Sequence, residues 1–115
     1  MAGEPDVGSD DGHAAPFAAT ARVEDDVVQL LLEGELDLST VHRFRAAAEG
    51  HAATQRFVVD VAAVTFIDST GLGALVDLAT RTRRAGGSVV LAHPDQRILR
   101  LLELTALDQV FDVEP

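Results

Sequence analysis

The sequence predicts a single α/β domain built on a mixed β-sheet, in the order β-β-α-β-α-β-α-β. Three observations carry that reading. Short runs rich in valine and leucine alternate with stretches whose apolar residues recur at helical spacing. Capping residues and glycines stand at the junctions between them. After the first two strands, each gap is long enough for a helical crossover, which implies parallel pairing through right-handed connections.

The elements follow in order. Phe17–Val23 reads as a weak strand, and Glu24-Asp25-Asp26 is a polar turn into Val27–Glu33 (VVQLLLE), a strong strand. These two form an antiparallel hairpin. Gly34 interrupts the run, and Ser39 is placed as the N-cap of a helix through Glu49, with Val41, Phe44 and Ala48 on one face and Gly50 just past the end. Phe57–Val61 (FVVDV) has strand length and is followed by a second apolar stretch to Ile67. Continuous apolar runs of this kind suit a strand covered on both faces.

The next helix is the most clearly patterned, since Leu72, Leu75, Val76 and Ala79 fill one face. Asp77 and Arg81 are spaced to pair, while Arg81, Arg83 and Arg84 suit the negative end of the helix dipole before Gly86-Gly87. Ser88–Ala92 is a strand, Pro94-Asp95 opens a third helix carrying Ile98, Leu101 and Leu102, and Val110–Val113 closes the domain as a short strand.

Composition narrows the function. The chain has 115 residues, no cysteine, and nine basic against 19 acidic residues for a formal charge of −10. Disulfides, thiolate chemistry and cysteine-ligated metals are excluded. Every basic residue is an arginine, so a Schiff base and a P-loop lysine are excluded too. A field of this sign repels nucleic acid and anionic lipid. No apolar run reaches the roughly 20 residues that span a bilayer, and no signal peptide is read at the N-terminus. A cytoplasmic location is expected, with no membrane insertion and no direct contact to nucleic acid. Residues 1–15 carry Glu4, Asp6, Asp10 and Asp11 with no basic residue. They are expected to form a flexible acidic tail before a domain over residues 16–115.

One junction stands out. Asp68-Ser69-Thr70 falls between an apolar strand and the start of the best-patterned helix, followed by Gly71-Leu72-Gly73. Helix capping accounts for these residue types without any further role, and the two glycines would permit close packing. A hydrolase elbow requires Gly-x-Ser-x-Gly, but Ile67 stands at the first glycine position. A dinucleotide fingerprint fails at Val76. The four histidines, His13, His42, His51 and His93, have no metal-binding spacing. No catalytic residue, metal or cofactor is expected.

The stretch Val64-Thr65-Phe66-Ile67-Asp68-Ser69-Thr70-Gly71-Leu72-Gly73 resembles the signature of the anti-sigma factor antagonists of the STAS family. Gly34-Glu35-Leu36-Asp37 is similar to the segment before that family's first helix, and Ile98–Thr105 to its closing helix. The resemblance covers about Phe17 to Val113. It implies a non-enzymatic partner switch in which an anti-sigma factor with kinase activity phosphorylates Ser69. The unphosphorylated form then binds that factor and frees the sigma factor, and a serine phosphatase acting on phosphorylated Ser69 resets it. The partner surface implied comprises Asp37, Asp68, Ser69, Thr70, Gly71 and Leu72.

Two other readings stay open. One is a partner-binding subunit of a lipid-transport or stress-sensing complex; the other is a small hydrolase using Ser69. The sequence departs from the family at Ala106, where glycine is usual. If that position needs a left-handed backbone, alanine costs on the order of 1 kcal/mol.

Overall fold

A computed structural model describes residues 17–51 and 56–115 of the chain. The expected acidic tail, residues 1–15, lies outside the described residues. Eight elements follow in the predicted order: β1 (Ala18–Glu24), β2 (Val27–Leu36), α1 (Val41–Glu49), β3 (Arg56–Ile67), α2 (Ser69–Arg84), β4 (Ser88–Ala92), α3 (Gln96–Leu104) and β5 (Asp112–Glu114). The five strands form one mixed sheet in the spatial order β1-β2-β3-β4-β5. β1 is antiparallel to β2, and the other pairs are parallel.

The hairpin turn has only two central residues, Asp25 (φ 51°) and Asp26 (φ 66°), both left-handed. That is the turn whose twist matches the flanking strands, and aspartate tolerates it better than most side chains. The three helices bridge neighbouring parallel strands that advance in one direction across the sheet. Right-handed crossovers advancing one way place every helix on the same face. The core agrees: Val28, Leu30 and Leu32, Phe57, Val59 and Val61, and Val89 and Leu91 are alternate residues of their strands. They pack with Phe44, Leu75, Leu78, Ile98 and Leu102 from the helices.

Three expectations change here. The intervening Val58, Asp60 and Val90 are only half-buried, so β3 is covered on one face and not both. Its unbroken apolar run reflects how well β-branched residues fit either side of a pleated strand. The two apolar stretches from Phe57 to Ile67 are one 12-residue strand. Gly34 does not end β2; the strand runs through it to Leu36. Glycine is needed there because the backbone is left-handed, φ 95°, where the β2–β3 register shifts. The register shifts once between Leu31 and Glu33 and again between Gly34 and Glu35, each time with an extra residue on β3. The Asp60 carboxylate supports the first bulge by accepting the Ala62 amide at 3.0 Å.

α2 and α3 end in the same hydrogen-bonded motif with different residues. At α2, the Gly86 amide donates to the Arg83 carbonyl and the Gly87 amide to Thr82, both at 2.9 Å, with Gly86 at φ 90°. At α3, the Ala106 amide donates to Glu103 (3.1 Å) and the Leu107 amide to Leu102 (2.8 Å). Leu107 then packs against the core. Ala106 has φ 58°, so the left-handed cap is formed and alanine carries its steric cost. Ala106→Gly is expected to stabilise the domain by about 0.5–1 kcal/mol, less than the full steric relief because glycine also loosens the unfolded chain. A thermal melt checks this: the midpoint should rise by several degrees, and an unchanged or lower midpoint contradicts it.

Candidate functional site

The carboxyl ends of β2, β3 and β4 lie side by side, and a helix begins after each. Each junction carries an aspartate whose side chain accepts free main-chain amides. Asp37 Oδ1 accepts from the Ser39 amide (2.9 Å), the Ser39 hydroxyl (2.7 Å) and the Thr40 amide (3.2 Å). Asp68 Oδ1 accepts from Gly71 at 2.9 Å, and Asp95 Oδ1 from Ile98 at 3.0 Å. Helix starts leave these amides without helical partners, which is why short acceptor side chains recur there.

The expected N-cap at Ser39 is corrected by this geometry. α1 begins at Val41, and the residue that gathers the loop amides is Asp37, while Ser39 donates to it. Its carboxylate accepts several donors, whereas a serine hydroxyl would offer far less. The Ser39 hydroxyl, more than any other contact, holds the Asp37 carboxyl below its ordinary range. The Ile98 amide, followed by the Arg97 side chain, does the same for Asp95. A depressed acid stabilises the fold above its unfolded pKa and loses that contribution as pH falls through the folded value. Both carboxylates are therefore charged at neutral pH, with the Asp37 bonds in the loop before α1 and the Asp95 cap of α3 intact.

Asp68 has a second task. Its Oδ2 accepts the Leu38 amide at 3.2 Å, across 30 residues of sequence, and its own amide donates to the Leu36 carbonyl at 3.3 Å. One side chain thus fastens the loop after β2 to the start of α2. Asp37, Asp68, Ser69 and Thr70 gather at this edge, with Ser69 exposed as the first residue of α2 and Thr70 half-buried. Gly71 and Leu72 are buried and support the site from behind.

The two glycines of α2 differ. A Cβ on Gly71 would collide with the Leu36 carbonyl oxygen and lie 2.9 Å from Leu36 Cγ, so close approach explains this one. A Cβ on Gly73 would meet nothing within 4 Å, so packing does not require it. Gly73→Ala is expected to stabilise the fold by roughly 1 kcal/mol, the usual helix-interior difference. Chemical denaturation should show the higher midpoint; a lower one would reveal a need for glycine that the packing lacks.

Two residues escaped the sequence reading. Leu38 is 75 % exposed and Phe66 is 50 % exposed, both close in sequence or by hydrogen bonding to Asp68. Phe66 belongs to an apolar strand end whose pattern does not mark it as exposed, and Leu38 sits in a loop where no periodicity marks a side chain as inward or outward. On α3, Leu99 is half-buried while Leu104 is exposed. Among the described residues, no group of three or more potential ligands is assembled to hold a metal, and no helix is long and apolar enough to cross a membrane. His93 follows β4, with its backbone amide donating to the Glu114 carbonyl at 2.7 Å.

Residues 18–115 match the family of STAS domains. The anti-sigma-B factor antagonist of Bacillus subtilis is 31 % identical over 90 residues, spanning 75 % of this chain and 80 % of that protein. The crystal structure of an anti-sigma factor antagonist from Mycobacterium paratuberculosis superposes with a TM-score of 0.73 at 29 % identity, covering 90 % of this chain and 91 % of that one. The Bacillus cell fate determinant SpoIIAA in its phosphorylated form shares the fold, with a TM-score of 0.69 at 20 % identity over 87 % of this chain and 92 % of that one.

Proposed function

The chain belongs to the STAS family, and on that premise we propose that it is an anti-sigma factor antagonist switched off by phosphorylation of Ser69. In this reading the unphosphorylated chain binds an anti-sigma factor with kinase activity and so frees a sigma factor. Phosphorylation ends the complex, and a serine phosphatase restores it. The observation that carries the proposal is the exposed Ser69 hydroxyl at the first position of α2, on the edge where three strands end. The named antagonists among its relatives support the general role.

The physical chemistry of the site suits a switch. A phosphate adds about −1.5 to −2 charges. The N-terminus of α2 partly stabilises that charge, as helix starts do for anions, while neighbouring Asp68 opposes it. Asp68 is already committed to the amides of Gly71 and Leu38, so the local fold survives modification. A partner closed over Ser69 would instead have to bury an unpaired dianion. The consequence falls on the complex.

The experiment is capture of purified kinase-type anti-sigma factors by the full chain, with and without ATP, followed by intact mass. A complex that forms without ATP, and releases a singly phosphorylated chain with it, is the expected outcome. Failure to bind in either condition, or binding indifferent to ATP with no mass gain, overturns the reading.

A further inference from the structure

We infer that Asp68 is a positioning residue for Ser69: by tying the loop after β2 to the start of α2, it holds the hydroxyl where a kinase can use it. The kinase in this inference rests on the proposed function; the tie rests on the geometry alone. Asp68 is held at three points. Its amide donates to the Leu36 carbonyl at the end of β2, Oδ1 accepts the Gly71 amide in α2, and Oδ2 accepts the Leu38 amide at 3.2 Å. Capping the helix needs only the second of these bonds.

The loop that Asp68 reaches is stiff. The Thr40 amide donates to the Asp37 carbonyl at 3.1 Å, closing a turn over Asp37-Leu38-Ser39-Thr40. The Ser39 and Thr40 amides also donate to Asp37 Oδ1, and the Asp37 amide donates to Thr40 Oγ1 at 3.0 Å. That hydroxyl in turn donates to the Glu35 carbonyl at 2.6 Å. Of the consecutive amides from Asp37 to Thr40, only that of Leu38 leaves the loop, and it goes to Asp68. A segment satisfied internally moves as a unit, so this bond sets how the loop lies against α2.

Ser69 directly follows Asp68 and is exposed, so its placement comes from the backbone on either side. In phosphoryl transfer from ATP, the serine oxygen must lie in line with the γ-phosphorus. Its bond to phosphorus forms as the bond to the ADP oxygen breaks, and the hydroxyl proton passes to a base on the kinase. A displacement of about 1 Å costs on the order of a hundredfold in rate. An acceptor on a fixed junction meets that demand in every encounter; one on a loose junction meets it only part of the time.

The test cuts the bond from each side in the full chain. Asp68→Asn keeps an acceptor for Gly71, since asparagine caps helices as well as aspartate does, but turns an NH2 group toward the Leu38 amide. Leu38→Pro removes the donor, and proline suits the second position of a turn. Its loss is measured against Leu38→Ala, which keeps the amide and removes the same exposed side chain. In Asp68→Asn, amide exchange followed by NMR should be at least about tenfold faster at Leu38, with Gly71 protected as in wild type. With a purified kinase-type anti-sigma factor and ATP, Asp68→Asn and Leu38→Pro should each lower kcat for Ser69 phosphorylation by about tenfold, with KM within about threefold. The double variant should lose no more than either alone, because both changes cut one bond. A Leu38 amide exchanging as in wild type, or losses that multiply in the double variant, overturns the inference. So does a raised KM with unchanged kcat, which would make Asp68 a direct contact of the kinase. If Leu38→Pro unfolds, the exchange and kinetics of Asp68→Asn still decide. If the wild type is not phosphorylated, the functional reading fails while the exchange decides the tie.

Discussion

Gly71→Val is expected to lower the thermal midpoint by roughly 10–20 °C, the effect of about 3 kcal/mol on a domain near this size. The first added carbon would overlap the Leu36 carbonyl oxygen. That oxygen cannot simply withdraw, because it accepts the Asp68 amide and belongs to the last paired residues of β2 and β3. Leu36 itself is fully buried, which closes the other direction of escape. If the helix moves instead, the Gly71 amide leaves Asp68, and the cap of α2 is lost. Gly71→Ala carries the same first carbon and should keep most of the effect. A valine variant melting within about 2 °C of wild type would show that α2 and β2 do not meet as closely as described.

At Ser69 the largest effects are expected in binding and not in folding. Ser69→Ala keeps a small neutral surface and removes the acceptor, so it should bind the anti-sigma factor and resist release by ATP. Ser69→Asp places a permanent charge beside Asp68. Closing an interface over a charge without a partner costs about 3–5 kcal/mol, more than a hundredfold in Kd. The mimic remains imperfect, since aspartate has less charge and fewer acceptor oxygens than phosphate. Both variants should keep the wild-type circular dichroism because Ser69 is exposed at a helix end. Thr70 is the neighbouring hydroxyl and is half-buried. Peptide mapping after kinase treatment separates the two: phosphate confined to Thr70, or a Ser69→Asp chain binding as tightly as wild type, contradicts the assignment.

Elements whose signals are local were legible in the sequence. The stripe of α2, the hairpin, and the caps at Asp68 and Asp95 depend on residues within a few positions of one another, and they lie where periodicity puts them. Ala106 was legible for a different reason, since a family glycine points to a backbone conformation and not to a contact. What could not be read depends on partners distant in the chain. Gly34 looks like a break because local propensity disfavours glycine in strands, yet β3 supplies the extra residue that makes a bulge beside it. Ser39 looks like a cap because serine is a good one, but its own amide and hydroxyl are donated to the charged acceptor Asp37, which also takes the Thr40 amide. The bond from Asp68 to Leu38 spans 30 residues, and nothing in either segment announces it. For the same reason the exposure of Leu38 and Phe66 emerged only from the fold.

Spatial and chain order coincide throughout the sheet, from β1 to β5. Each strand thus completes its pairing with one made just before it, never with one still to come. Closing each connection brings together segments separated by a single helix, a modest entropic demand compared with sheets whose central strands are assembled last. A chain emerging from the ribosome can therefore lay down its hairpin, add one strand and helix at a time, and hide each new apolar face as it appears. The unfinished sheet has a single growing edge during synthesis, which limits the opportunity for mispairing with other chains. Ser69 becomes part of a formed site only once β3 has docked on β2 and α2 has begun, and β4 then completes the edge.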